Sequence, residues 1–227
     1  MKQVPARNGI PILRGCKVAQ PFALLKPILP MTGRSGISSL MQAAQQLDWI
    51  SVEDYLEGEQ ASEVRHEYIG GVVYGMAGAS DEHNLISGSL YSALRAHVRG
   101  GPCRAFATDA KVRLEIARDD IFYYPDVMVA CDPRDTDRFF KRFPKVLIEV
   151  LSDTTERTDR REKFLSYTQI ETLEEYVLVA QDKMEITVFR RAGQWQPEIL
   201  RQPEQTLRLA SLDFSLPLSA VYEGVKV

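Results

Sequence analysis

Glu149 stands inside the most apolar run of the chain, Val146-Leu147-Ile148-Glu149-Val150-Leu151. β-Branched and aliphatic residues on both sides make this run a short strand buried on both faces, as near the centre of a mixed or parallel sheet. An ionised carboxylate there is costly unless a cation or hydrogen-bond donors satisfy it. Asp126 lies earlier, in the β-rich segment Tyr124-Pro125-Asp126-Val127-Met128-Val129, and Lys163 lies later, in a charged, helix-like stretch. Two acids on neighbouring strands with a lysine close by make a divalent-metal site suited to phosphodiester cleavage.

Side chains alternate along a strand, so Leu147, Glu149 and Leu151 share a face. If that strand pairs with the Asp126 strand, Asp126 and Glu149 can converge on one Mg²⁺, with the Val150 carbonyl as a further oxygen ligand. The competing account makes Asp126 a strand-end carboxylate and Glu149 a buried salt-bridge partner. Lys163 belongs to an i, i+4 stripe with Thr155, Asp159 and Tyr167. It would orient or help to deprotonate the attacking water; its alternative is a solvated pair with Asp159. Glu67, ahead of Gly70-Gly71, is a candidate third carboxylate, and His83 a candidate phosphate contact. Each reads equally well as an ordinary surface or helix-start residue. Asp109 reads as a turn residue. Arg134, Arg138, Lys141, Arg142 and Lys145 alternate with Phe139, Phe140 and Phe143 like a phosphate-contacting loop with stacking rings. Asp132, Asp135 and Asp137 dilute that charge, which favours a solvated loop with an aromatic anchor. Arg157, Arg160 and Arg161 form a second small patch.

The elements that must position these groups emerge from periodicity. Ser51-Val52-Glu53-Asp54 has capping-box spacing and opens a short helix through Leu56. Gly70-Gly71 between two β-rich tetrapeptides signals a hairpin. Leu85, Ile86, Leu90, Leu94 and Val98 keep the helical period over Asp81 to Val98. Strands are expected at 103–107, 110–116 and 121–130, with a turn at Arg118-Asp119-Asp120, and then the Glu149 strand. A helix over 156–168 comes next, with Ser152, Thr154 and Thr155 as N-cap candidates. Strands at 175–180 and 185–190, an edge strand within 194–200 and a short helix within 216–222 complete an α/β domain with one mixed sheet.

The chain has 227 residues, 44% hydrophobic and 26% charged, and a net charge of −3. It suffices for one domain with a core plus an extension. Residues 1–46 carry six basic side chains, no acidic one and five prolines, so the remainder holds −9 and is no general polyanion-binding surface. This stretch reads as a basic disordered extension or an over-long gene start; prolines argue against a targeting helix. The domain proper is expected over 47–227. No run is apolar enough to span a bilayer. Three cysteines without a close pair suggest neither a disulfide framework nor a zinc site, and a reducing, cytoplasmic setting fits best.

Pro125-Asp126 followed by Glu149-Val150-Leu151 resembles the PD-(D/E)XK nuclease superfamily. With Glu67, His83, Asp159, Lys163 and the strand Glu175-Tyr176-Val177-Leu178-Val179, the pattern resembles the Uma2 family of restriction-endonuclease-like proteins, over about 48–227. That resemblance implies a restriction-endonuclease-like core, a central mixed β-sheet flanked by helices. It also implies a Mg²⁺-dependent (or Mn²⁺-dependent) endonuclease acting on DNA rather than RNA. Asp126, Glu149 and Val150 would hold the metal, Lys163 would support the nucleophile, and Glu67 and His83 would assist. The chain departs from the superfamily where a lysine should stand two residues after the glutamate, because Leu151 is there; the resemblance implies that Lys163 has taken that role. By analogy a homodimer is expected. The rivals are a catalytically inactive binding or interaction module of the same fold, and a hydrolase of small phosphorylated substrates.

Overall fold

A serine cap opens the described part of the chain, which in this computed structural model comprises residues 49–152 and 155–227. The expected extension at 1–46 and the cap candidate Thr154 lie outside those residues. Ser51 accepts from the Asp54 N–H and starts α1 (Val52–Ala61), which runs beyond the expected end at Leu56. β1 (His66–Ile69) and β2 (Val72–Gly75) pair through Gly70-Gly71, both at positive φ, as a two-residue hairpin requires. Ser80 caps α2 (Asp81–His97) by accepting from the His83 N–H, which fixes His83 in the helix's first turn.

The expected strand over 121–130 is two strands in two sheets. β3 (Arg104–Ala107) and β4 (Lys111–Ile116) precede β5 (Asp119–Tyr123), and the turn falls at Ala117-Arg118, both at positive φ. β5 stops at Tyr124-Pro125-Asp126, where proline has no N–H to give a ladder, and β6 (Val127–Ala130) resumes in the other sheet. This crossing places Asp126 at the head of β6. The short β7 (Phe140–Lys141), which no sequence pattern announces, precedes β8 (Pro144–Leu151), which carries Glu149.

After β8, one helical stretch runs in three pieces: α3 (Glu156–Thr158), a π-helical turn over Asp159–Lys163, and α4 (Phe164–Tyr167). β9 (Glu175–Ala180), β10 (Ile186–Arg190) and the edge strand β11 (Pro197–Leu200) stand close to expectation. The hairpin of β12 (Thr206–Leu209) and β13 (Phe214–Pro217) has no counterpart among the expected elements; it leads into α5 (Leu218–Val221).

One expected sheet is thus a larger and a smaller sheet plus a hairpin. The six-stranded sheet runs β11-β10-β9-β8-β6-β3 and is mixed, because β8 and β9 are parallel while its other pairs are antiparallel. The five-stranded sheet runs β2-β1-β5-β4-β7. Even β8 residues such as Ile148 and Val150 pack with Ile86, Leu90 and Leu94 of α2. Odd ones, Leu147 and Leu151, pack with Tyr167, Tyr176 and residues of β4 and β5. Burial on both faces explains the near-continuous apolar run.

Cys103 and Cys131 form a disulfide, with Cα atoms 4.0 Å apart. This corrects the expectation of no cysteine pairing. The β3–β6 register, Arg104 opposite Ala130, sets the two cysteines across from one another at the next step, a proximity invisible in their sequence separation. Among the described residues no helix is long and apolar enough to cross a membrane.

Candidate active site

Register brings the two acids together. β6 and β8 pair antiparallel with Val127 opposite Ile148, so one further step carries Asp126, just ahead of β6, to the level of Glu149. The face of β8 that carries Glu149 is covered by the α3–α4 stretch and the smaller sheet. Glu149 is 2% exposed and Asp126 9%.

Lys163 lies at the end of the π turn and is buried. Its ammonium stands 3.0 Å from Glu67 Oε1, 3.2 Å from Glu149 Oε1 and 3.1 Å from Asp159 Oδ1. The Tyr123 ring lies under it at 5.5 Å. The Asp159 pairing expected for a solvated lysine therefore exists, but in the interior, where Asp159 is 1% exposed. Tyr167 donates to Glu149 Oε1 at 2.9 Å, and Tyr176 donates to the Asp159 carbonyl at 3.0 Å. A π turn interrupts regular i→i−4 bonding and recurs at functional sites. Here it carries Asp159 and Lys163 at its two ends.

A second group adjoins the first. The Asp126 carboxylate accepts from the Val150 N–H at 2.7 Å and meets His83 Nε2 at 3.2 Å. The Val150 backbone also helps to raise the His83 pKa, after Asp126. One of the groups expected to bind a metal, the Asp126 carboxylate, thus already meets an imidazole. His83 Nδ1 is buried without a hydrogen-bond partner among the described residues.

All five side chains expected in the site (Asp126, Glu149, Lys163, Glu67 and His83) fall into these two adjoining groups. Asp159 and Tyr167 belong with them. The i, i+4 stripe named both, and that stripe was the available signal, although it did not show that they contact Glu149 and Lys163. Of the Arg157, Arg160 and Arg161 patch, Arg160 is held by Glu156 at 2.8 Å. Asp109 is a turn residue paired with Arg65 at 3.1 Å.

Four carboxylates (Glu67, Asp126, Glu149 and Asp159) face two cationic side chains, so the cluster is net negative even with His83 protonated. Burial pushes the Glu149 carboxyl well above the ordinary carboxylate range; Lys163 opposes this, while Asp159, Asp126 and Glu67 reinforce it. Burial alone would drive the proton off Lys163, but Glu149, Glu67 and Asp159 outweigh it and hold the ammonium well above its usual pKa. His83 obeys the same logic: burial opposes its charge, and the Asp126 hydrogen bond and charge raise its pKa nonetheless.

Among the described residues no group of three or more His, Cys, Asp or Glu side chains is arranged to hold a metal ion. The donors that are present, two carboxylates and one carbonyl with surplus negative charge, suit a hard divalent cation that keeps several waters.

Comparison with known proteins adds three findings. The model of the family "Uma2: Putative restriction endonuclease" matches residues 52–219. Two proteins of Synechocystis sp. (strain ATCC 27184 / PCC 6803 / Kazusa) are similar in sequence. "Uncharacterized protein slr1290" is 34% identical over 178 residues, 78% of this chain and 93% of that protein. "Uncharacterized protein sll1609" is 32% identical over 151 residues, 64% and 84% of the two chains. The crystal structure of "a putative nuclease belonging to DUF820" from Anabaena variabilis superimposes with a TM-score of 0.63 at 20% identity. That match covers 76% of this chain and 97% of the other, and establishes a shared fold.

Proposed function

Since the chain belongs to the Uma2 family, whose nuclease-like fold it carries, we propose that it is a Mg²⁺-dependent endonuclease hydrolysing phosphodiester bonds in DNA. The observation that carries this reading is the buried ammonium of Lys163, 3.2 Å from Glu149, on a chain whose residue 151 is leucine. The cation that a nuclease site needs beside its metal-binding glutamate is supplied by the helix after the strand.

Asp126, Glu149 and the Val150 carbonyl would hold the metal, with Mn²⁺ as a substitute. When bound, the ion would lower the pKa of a water and stabilise charge on the phosphate. Lys163, protonated at neutral pH, donates hydrogen bonds and positive charge toward the phosphate rather than taking a proton. Glu67 and Asp159 fix the position of that ammonium. Tyr167 orients Glu149 through its hydroxyl. His83 holds the Asp126 carboxylate and, when protonated, adds positive charge at the phosphate. Two copies acting on two strands would be a homodimer.

One observation favours the rival, a binding module without turnover: His83 and Lys163 already pair with the acids proposed as ligands. Incubation with supercoiled plasmid in Mg²⁺ or Mn²⁺ separates the readings. Nicking that disappears with a chelator and in Glu149→Ala supports the endonuclease. DNA binding without nicking under either metal supports the module. Hydrolysis of nucleotides with intact plasmid supports the small-substrate hydrolase.

A further inference from the structure

A cavity of about 570 Å³, with Tyr124 in its wall, lies between α1, β3, the start of β4 and the loop that leads into β7. Its size falls in the range of pockets for small organic ligands, roughly 300–1,000 Å³. Lys111 is its central feature. This lysine is 6% exposed and its ammonium hydrogen-bonds to the Tyr124 hydroxyl at 3.2 Å. Among the described residues no carboxylate lies within ion-pairing distance of it. Glu59, the acid in the wall whose charge acts most strongly on Lys111, is committed to the His66 N–H and ring and to the Tyr124 hydroxyl. A buried ammonium without a contacting counter-ion is costly and is relieved by an anion in the adjoining space. Burial indeed lowers the Lys111 pKa, with Glu59 only partly offsetting it.

The mouth of the cavity adds charge and ring surface. Asp135 and Asp137 hold the backbone of the 134–145 segment. Asp135 accepts from the N–H groups of Arg142 and Phe143, and Asp137 from those of Phe139 and Phe140. Arg138 is left without an ion pair among the described residues, and Phe139 remains 47% exposed beside it. Arg65 is neutralised by Asp109. Among the lining side chains Lys111, Arg138 and Lys141 outnumber Glu59, although the Asp137 charge also reaches Lys111, and Phe106, Phe139 and Tyr91 offer ring surface.

We propose that this cavity binds a nucleoside 5′-phosphate, its phosphate toward Lys111 and Arg138 and its base against Phe139. Base stacking on an aromatic ring is tolerant of sequence, because every base has a π face. The nucleotide is either free or part of a single strand. The site does not depend on metal at Asp126 and Glu149, so absence of cleavage leaves it standing.

Titration calorimetry of the full chain in EDTA tests it, with deoxyadenosine monophosphate, inorganic phosphate and a short single-stranded oligodeoxynucleotide as probes. The expected result is saturable binding of the mononucleotide, tighter than phosphate, weakened at least about tenfold in Phe139→Ala and in Arg138→Ala. Loss in Lys111→Met is also expected. Both loop residues are exposed, so the test stands even if the Lys111 variant does not fold. Binding of the oligonucleotide alone, weakened by the same variants, supports the strand-borne source. No saturable binding of either nucleotide probe overturns the proposal, as does binding that both loop variants leave unchanged.

Discussion

Lys163 is where burial and charge meet most directly. Its removal leaves Glu67, Glu149 and Asp159 in a dry interior without the cation that offsets them. Lys163→Met should lower the unfolding free energy by about 3–5 kcal/mol, measured by urea denaturation in EDTA. A loss below about 1 kcal/mol would mean that the carboxylates already relieve one another by sharing protons. His83 gives a pH signature. Its folded-state pKa is raised by Asp126, so its contribution is complete below the unfolded pKa of about 6.5 and is lost as pH rises through the higher folded value. The stability difference between the native chain and His83→Gln should therefore shrink from mildly acidic to alkaline pH. A difference that grows with pH would contradict the assigned Asp126 contact. At this scale the sequence was informative, because a glutamate in a two-sided apolar strand has few explanations. Tyr167 was harder to place: a tyrosine on a helix face does not announce which strand its hydroxyl will meet.

At the scale of elements, the position of the ammonium depends on the helical stretch after β8. Leu151 shares the Glu149 face and is buried in the cluster with Tyr167, so a lysine there would approach the glutamate from the strand itself. The double variant Leu151→Lys, Lys163→Met should regain part of the plasmid nicking that Lys163→Met loses. Equal inactivity of both would mean that the helix placement, and not the charge alone, is required. The β1–β2 hairpin positions Glu67. Gly71 has φ +98°, and a Cβ there would lie 2.1 Å from the Trp49 ring. Gly71→Ala should cost about 1–2 kcal/mol and lower Tm by roughly 4 °C in a thermal melt; an unchanged Tm would show that the turn and ring relax freely. The paired glycines, the capped α2 and the β8 strand were all legible from local pattern. The π turn was not, since the sequence from Asp159 to Lys163 reads as an ordinary charged helix.

For the whole molecule, the α/β class and the neighbourhood of Asp126 and Glu149 were legible. The division into two sheets was not. It turns on Pro125, whose missing N–H ends one ladder, and period-2 patterning alone carries the eye straight through from Ile121 to Ala130. The Cys103–Cys131 pairing likewise depends on which strands become neighbours, and sequence spacing does not encode that. The site's surplus of negative charge is a property of the assembled fold, with acids drawn from β1, the β5–β6 crossing, β8 and the π turn. If that surplus is the seat of a divalent ion, calorimetric titration of Mn²⁺ into metal-free protein tests it most directly. Saturable binding is expected in the native chain, abolished in Asp126→Asn and in Glu149→Gln with both variants still folded. Absence of saturable binding in the native chain, or binding that both variants retain, would contradict it.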